Sequence, residues 1–143
     1  MFSLKEKTAI ISGGSKGIGK SIAFKYAEAG ANVVICSRKK DNLDSAIEEA
    51  QTLGFNIIGI ECNTGEKESI NNVVDKTLEQ FKRVDILVNN AAANPYYGPI
   101  LNSQDSHWEK IWDINVKGYF NFIKACSKSM KDNKYGKIIN VAS

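Results

Sequence analysis

The glycine-rich turn near the start of the chain is the feature that most restricts its fold. An apolar run at residues 8–11 leads into Ser12-Gly13-Gly14-Ser15-Lys16-Gly17-Ile18-Gly19, and a helical pattern follows directly. Glycines at a strand-to-helix turn let the backbone approach a pyrophosphate, while the unpaired N–H groups at the helix N-terminus favour its negative charge. The sequence therefore predicts a nucleotide-binding turn built from Ser12, Gly13, Ser15, Lys16, Gly17, Ile18 and Gly19.

The rest of the chain alternates strand-like apolar runs with helical patterns. Strands are predicted at 8–11, 32–36, 55–62, 86–88 and 137–142, and helices at 17–29, 43–50, 70–81 and 106–130. Strands joined by helical crossovers lie parallel, and right-handed crossovers produce a doubly wound sheet. We therefore expect a single Rossmann-like α/β domain over residues 1–143, with helices on both faces and a sheet that stops after the fifth strand.

Side-chain spacing also predicts caps and buried faces. Either Asp41 or Asn42 is expected to cap the second helix, and Gly30 and Gly54 to end the first two helices. The 3.6-residue period predicts two buried helix faces. One face carries Ile18, Ile22, Ala23 and Tyr26, and the other, on the long last helix, carries Trp108, Ile111, Trp112, Asn115, Tyr119 and Phe122.

Composition excludes several classes of protein. The 143 residues are 43% apolar, yet no stretch reaches the roughly 18–20 apolar residues of a membrane span, and the N-terminus has no signal-peptide pattern. We therefore expect a cytoplasmic protein. A net charge of +3 gives no reason to expect a nucleic-acid partner. Cys36, Cys62 and Cys126 lie far apart, which favours small buried hydrophobic residues over disulfides or a metal site.

The end of the second strand indicates the cofactor. An acidic residue there binds the ribose 2′-hydroxyl of NAD and repels a 2′-phosphate, whereas this chain has Ser37 followed by Arg38. Together with Lys16, Arg38 places two cations where they could bind a phosphate. The pattern favours NADP(H) over NAD(H). The alternative is that Arg38, Lys39 and Lys40 form only a solvated turn.

Four segments resemble motifs of the short-chain dehydrogenase/reductase family, and the resemblance extends over all 143 residues. The glycine turn is similar to TGxxxGxG, with Ser12 in place of Thr, and Asn89-Asn90-Ala91-Ala92 is similar to NNAG. Cys62-Asn63 matches the position after the third strand where the family contacts adenine, and Asn115-Val116-Lys117-Gly118 resembles NVxG. The loop at residues 94–99 resembles those of NADP-dependent carbonyl and 3-oxoacyl reductases. Its Tyr96 and Tyr97 could line a substrate cleft or serve only local packing.

The resemblance implies roles for the remaining site residues. Asn63 would contact the adenine ring, and small residues at Asn89, Asn90 and Ala91 would let the backbone pass close to the cofactor. Asn115 would hold a water molecule of the proton relay, although a buried amide at that position could equally hold a backbone group. Ser143 would donate a hydrogen bond to the substrate carbonyl.

The general acid/base of the family is a Tyr within a Tyr-x-x-x-Lys pair. None of the five tyrosines of this chain is followed by Lys at that spacing, and His107 at a predicted helix start is a poor substitute. The resemblance implies an oxidoreductase that interconverts a small carbonyl and its alcohol by hydride transfer, of which this chain is the cofactor-binding half and is inactive alone. The alternatives are a non-catalytic NADP(H)-binding module and an interaction protein that pairs with a full-length relative. We also expect a homo-oligomer or self-association through the exposed fifth strand.

Overall fold

A five-stranded parallel sheet forms the centre of the protein in a computed structural model, which describes residues 2–143. The strands are β1 (Thr8–Ser12), β2 (Asn32–Ser37), β3 (Ile57–Glu61), β4 (Ile86–Asn89) and β5 (Lys137–Asn140). In the sheet they are ordered β3-β2-β1-β4-β5, and every neighbouring pair is parallel. The apolar side chains of β1, β2 and β4 are buried because helices cover both faces of the sheet, which is why these strands are continuous hydrophobic runs in the sequence. The predicted doubly wound Rossmann-like sheet is confirmed.

The helices lie in two layers. Helices α1 (Gly17–Glu28) and α2 (Lys40–Thr52) cover one face of the sheet, where Ala23 and Leu43 pack in a core cluster with Ile11. Helix α3 (Lys67–Phe81) covers the other face together with α5 (Gly118–Asp132). A 3₁₀ turn (Ile100–Asn102), a short helix α4 (Asp105–Ile111) and a π-helical turn (Trp112–Lys117) precede α5.

The predicted long helix at 106–130 is interrupted by the π-helical turn. A π turn takes more residues per turn than an α-helix, so the residues before it do not share the buried face of those after it. Phe122 is buried as predicted, but Trp108 and Trp112 are 55% and 57% exposed. The prediction that both tryptophans belong to a buried stripe is therefore wrong.

Two smaller predictions about helices are also wrong. Helix α2 begins at Lys40 with Lys39 at the N-cap, so neither Asp41 nor Asn42 caps it. Ile18 was predicted on the buried face of α1 but is 65% exposed, whereas Ala23 on that face is fully buried.

A buried carboxylate fixes the start of β4 against β1. Asp85 is fully buried; it accepts hydrogen bonds from the Thr8 backbone N–H at 2.9 Å and from Arg83 Nε at 2.8 Å. The bond to Asp85 raises the pKa of Arg83. Because β1 is the central strand and β4 lies directly beside it, this contact fixes the register of two strands whose carboxyl ends carry the candidate site.

Strand β5 forms one edge of the sheet. All four of its residues are exposed, including Ile138 at 42% and Ile139 at 41%. Within residues 2–143, none of the helices has both the length and the apolar character needed to cross a bilayer.

Candidate functional site

The glycine turn joins β1 to α1 through backbone conformations that other residues rarely adopt. Gly13 and Gly17 have φ angles of +64° and +52°, in the left-handed region. At Gly19 a Cβ atom would overlap the carbonyl oxygen of Gly13 and lie 2.5 Å from Nδ2 of Asn90. The turn is therefore packed so tightly that only glycine fits at Gly19.

The N-terminus of α1 is free to accept an anion. Its N-cap residue, Lys16, has extended backbone and makes no side-chain capping bond, and the first turn contains no acidic residue. The first N–H groups of a helix have no partner within the helix and carry the positive end of its dipole. The local chemistry is that of a phosphate site.

Ser12 joins the glycine turn to the end of β4. Its buried hydroxyl oxygen accepts hydrogen bonds from the backbone N–H groups of Asn90 and Ala91, both at 3.0 Å. Asn90 Nδ2 in turn donates to the Gly13 carbonyl at 3.2 Å, and the Gly13 N–H donates to the Cys36 carbonyl at 2.9 Å. These bonds hold the ends of β1, β2 and β4 together where the strand order reverses, which is where ligands bind in open α/β sheets.

A crevice of about 350 Å³ opens at these strand ends. Eight of the predicted cofactor-binding residues line it: Gly13, Ser15, Lys16, Ser37, Arg38, Cys62, Asn90 and Ala91. A larger hollow of about 670 Å³ lies between β3 and α3, but none of the predicted residues lines it. Most of the predicted cofactor-binding residues therefore meet at one site, the crevice at the strand ends, and not at the hollow between β3 and α3.

The other predicted residues lie around the crevice. Gly17 and Ile18 line a separate, apolar cavity beside β5, together with Val88 and Ile139. Asn63 lines a neighbouring cavity of about 430 Å³ that it shares with Arg38 and Cys62.

The side-chain amides of Asn63 and Asn89 are engaged within the protein. Asn63 accepts a hydrogen bond from the Gly65 N–H at 3.1 Å and donates to Glu66 at 2.9 Å. Asn89 is fully buried and donates to Asn140 Oδ1 at 2.9 Å, while its own Oδ1 has no partner among the described residues. Ser143 is exposed and does not line the crevice.

Lys16 and Arg38 supply positive charge at the crevice. Both side chains are exposed, and none of the ion pairs found among residues 2–143 includes either of them. Glu61 and Glu66 line the neighbouring cavity on the other side of Arg38. The crevice itself has no carboxylate in its lining, so an anion there meets only cations, backbone and neutral side chains.

Asn115 holds one wall of the crevice in place. Its Oδ1 accepts a hydrogen bond from the Ala93 N–H at 2.8 Å, and its Nδ2 donates to the Ala93 carbonyl at 3.1 Å. The sequence left two partners open for this amide, a water molecule or a backbone group, and the structure shows the backbone group. The role in a proton relay stays a prediction.

Sequence reasoning missed several residues that line the crevice. Asn42 was expected to be a helix cap; because α2 begins at Lys40, Asn42 instead lies in its first turn and faces the crevice. A correct helix start would have identified it. The other missed residues each adjoin a predicted motif by one position, but their own side chains gave no signal: Thr64, Ala93 and Ile114.

The three cysteines are free and buried, as predicted. Burial raises the pKa of Cys126 on α5 to about 12. Cys36 and Cys62 line the crevice, where Cys62 was predicted and Cys36 was not.

Several proteins of known family are similar to this chain in sequence. The family model for short chain dehydrogenases matches residues 7–143. The chain is 39% identical over 140 residues to dehydrogenase/reductase SDR family member 4 of Oryctolagus cuniculus, covering 98% of this chain and 54% of that protein. It is 40% identical over 111 residues to tropinone reductase-like 3 of Erythroxylum coca, covering 78% of this chain and 43% of that protein. The chain thus spans about half the length of the curated relatives it matches.

Solved structures share the fold. The crystal structure of gox2181 superimposes with a TM-score of 0.94 at 31% identity, over 99% of this chain and 55% of that one. A metagenomic short-chain oxidoreductase in complex with NADP superimposes with a TM-score of 0.91 at 29% identity, over 98% of this chain and 63% of that one. The glycine turn, the crevice at the strand ends and these matches together lead to one conclusion: the chain belongs to the short-chain dehydrogenase family.

Proposed function

We propose that this chain is the cofactor-binding part of an NADP(H)-dependent reductase that interconverts a carbonyl and an alcohol. The observation that carries the proposal is the crevice at the strand ends, with its glycine turn, its uncapped helix N-terminus and its two cations. The residues present suit a dinucleotide: a Cβ at Gly19 would close the turn, and no acid lines the crevice to repel phosphate. When bound, the nicotinamide would supply or accept the hydride.

The preference for NADP(H) over NAD(H) rests on Lys16 and Arg38. Both line the same crevice, Arg38 directly after β2 and Lys16 at the start of α1. A ribose 2′-phosphate placed between them would accept charge-assisted hydrogen bonds, and the planar guanidinium can bind it through two donors. The NADP bound to the metagenomic relative agrees with this assignment.

A charge reversal at Arg38 tests the cofactor preference. Arg38→Asp removes a charged hydrogen bond worth about 1.5–3 kcal/mol, so NADPH affinity should fall roughly 10- to 150-fold while NADH affinity is unchanged or rises. Lys39→Asp is the matched control, because it makes the same charge change at an exposed neighbour that does not line the crevice. Both affinities are measured by fluorescence titration. An unaltered ratio of NADPH to NADH affinity in Arg38→Asp would refute the assignment.

Catalysis needs a proton donor that these residues do not supply. Ser143 is the residue proposed to bind the substrate carbonyl, and Asn115 the one proposed to order the proton relay. None of the five tyrosines belongs to a Tyr-x-x-x-Lys pair. A positioned acid contributes typically about 10²–10⁴ in rate, so we propose that a protein made of these 143 residues binds NADPH without reducing carbonyls. Steady oxidation of NADPH by the pure chain with any ketone would contradict this.

The same observation supports a second candidate, a non-catalytic module that binds NADP(H). The two candidates differ in one experiment: adding a separately produced C-terminal portion of a relative should restore carbonyl reduction only if the first is right.

The partner that we propose besides the small substrate is a second copy of the chain. We propose self-association through β5, supported by the exposure of all four of its residues and by the unpaired backbone groups of an edge strand. Sedimentation that shows a monomer over a wide concentration range would contradict it. The cytoplasmic location stays a prediction.

A further inference from the structure

Asn42 brings a free side-chain amide to the crevice. It lies in the first turn of α2, is half-buried and lines the crevice of about 350 Å³. Within residues 2–143, none of the side-chain hydrogen bonds found involves its Nδ2 or Oδ1. Asn90 also lines the crevice, but its Nδ2 donates to the Gly13 carbonyl at 3.2 Å. Of the two amides, that of Asn42 can therefore bind a ligand without breaking a bond within the protein.

Asn42 lies on the side of Arg38 that carries no negative charge. Arg38 lines two hollows, the crevice and the neighbouring cavity of about 430 Å³, and Glu61 and Glu66 line the second of them. Asn42 lines the crevice and not that cavity, and it shares the crevice with Lys16. An anion bound between Lys16 and Arg38 therefore occupies the hollow that the Asn42 amide lines.

The start of α2 favours negative charge at the same place. The helix begins at Lys40, and its N-cap residue Lys39 makes no side-chain capping bond. The first N–H groups of a helix have no partner within it and carry the positive end of its dipole. Two nearby carboxylates do not oppose this field inside the crevice: Asp41 is exposed and does not line it, and Asp44 is paired with Lys40 at 2.6 Å. Asn42 thus presents its amide where the helix attracts an anion.

We propose that Asn42 is a third determinant of the preference for NADP(H), with its Nδ2 donating a hydrogen bond to the ribose 2′-phosphate. The inference rests on the proposed function and deepens it at the same site. A hydrogen bond to a charged phosphate oxygen is roughly twice as strong as one between neutral groups. The ribose 2′-hydroxyl of NAD(H) offers only the neutral bond, so the same amide contributes more to the binding of NADP(H) than to that of NAD(H).

Asn42→Asp tests the assignment, because it replaces the donor by a negative charge with almost no change in shape. Loss of a hydrogen bond to a charged group corresponds to a roughly 10- to 150-fold change in affinity. We expect NADPH affinity to fall at least about tenfold, while NADH affinity is unchanged or rises, since a carboxylate can accept from the ribose 2′-hydroxyl. Fluorescence titration measures both affinities. A ratio of NADPH to NADH affinity within about twofold of the parent would overturn the proposal.

A matched control makes the same chemical change outside the crevice. Asn72 is exposed on α3 and lines neither the crevice nor the neighbouring cavity, so Asn72→Asp should leave both affinities unchanged. Thermal melts separate a lost contact from a damaged fold. A carboxylate in the first turn of a helix interacts favourably with the helix dipole, so Asn42→Asp should melt at the temperature of the parent or slightly above it.

Asn42→Ala gives an answer without an added charge. It removes the donor alone, so the ratio of NADPH to NADH affinity should fall about three- to tenfold. An unchanged ratio in Asn42→Ala would overturn the proposal even if Asn42→Asp failed to fold.

The nucleotides 2′-AMP and 5′-AMP test the contact in the unmodified chain, because only the first carries a phosphate at the ribose 2′ position. In an isotopically labelled sample observed by NMR, 2′-AMP should shift the Nδ2 side-chain resonances of Asn42, whereas 5′-AMP should leave them nearly in place. Resonances that respond alike to both nucleotides, or to neither, would overturn the proposal.

The outcomes separate this inference from the proposed function. If the parent chain prefers NADPH and Arg38→Asp loses that preference while Asn42→Asp keeps it, the role of Asn42 is overturned and the proposed function stands. A parent chain that binds neither NADPH nor NADH would overturn the proposed function itself, and this inference with it.

Discussion

Ser12→Ala should show how strongly the end of β4 depends on one hydroxyl. The substitution removes the acceptor of two backbone N–H groups, those of Asn90 and Ala91, each at 3.0 Å. A backbone group left without its partner costs about 1–3 kcal/mol when it is buried. Both residues are half-buried, so water compensates in part, and we expect a loss of about 2–4 kcal/mol in the free energy of unfolding.

Two matched serine substitutions calibrate this loss. Ser129 is buried and accepts a hydrogen bond from one backbone N–H, that of Val84, at 3.0 Å. Ser129→Ala should therefore cost about half as much, roughly 1–2 kcal/mol. Ser45 is exposed on α2, and Ser45→Ala should change stability by less than about 0.5 kcal/mol.

Urea unfolding followed by circular dichroism measures all three variants, with the midpoint and the slope reported separately. A Ser12→Ala protein whose stability falls within about 0.5 kcal/mol of the parent would refute the reasoning, as would a loss no larger than that of Ser129→Ala.

Three further predictions concern stability. Gly19→Ala should lower the free energy of unfolding by at least about 3 kcal/mol, because its Cβ would overlap the Gly13 carbonyl oxygen. A Cβ at Gly17 would meet no neighbouring atom, so Gly17→Ala should cost only about 1–2 kcal/mol of backbone strain. Urea unfolding measures both losses. Asp85→Ala should lower the free energy of unfolding by about 2–4 kcal/mol, because the buried Thr8 N–H loses its acceptor and the partly exposed Arg83 loses its ion-pair partner. A thermal melt measures this loss. Because the pKa of Cys126 is about 12 in the folded state against 9.0 ordinarily, its thiol ionises only in the unfolded chain at moderately alkaline pH. The contribution of Cys126 to stability should therefore fall by about 1.4 kcal/mol from roughly pH 8 to 10, and Cys126→Ala should remove that part of the pH dependence.

The strands and the glycine turn were predictable from the sequence because their causes are local. Residues 9–11 are all apolar because both faces of β1 are covered, and the spacing of Gly13, Gly17 and Gly19 reflects turn geometry within a single segment. The interruption of the last helix was not predictable, since the sequence of the π turn contains no proline or other residue that breaks helical periodicity. The crevice wall at Ala93 and Ile114 depends on long-range packing, which periodicity does not report.

The contact between Asn115 and Ala93 has a mechanical consequence. A primary amide presents one donor and one acceptor side by side, as the backbone of a neighbouring strand does. The Asn115 amide therefore pairs with both the N–H and the carbonyl of Ala93, just as a neighbouring strand would, at one residue beyond the end of β4. The backbone at Ala93 is thereby held without any neighbour in the sheet. Since the π turn carries this amide, a shift of α4 or α5 along its axis would be transmitted to the wall of the crevice, and binding there would be coupled to whatever the two helices contact.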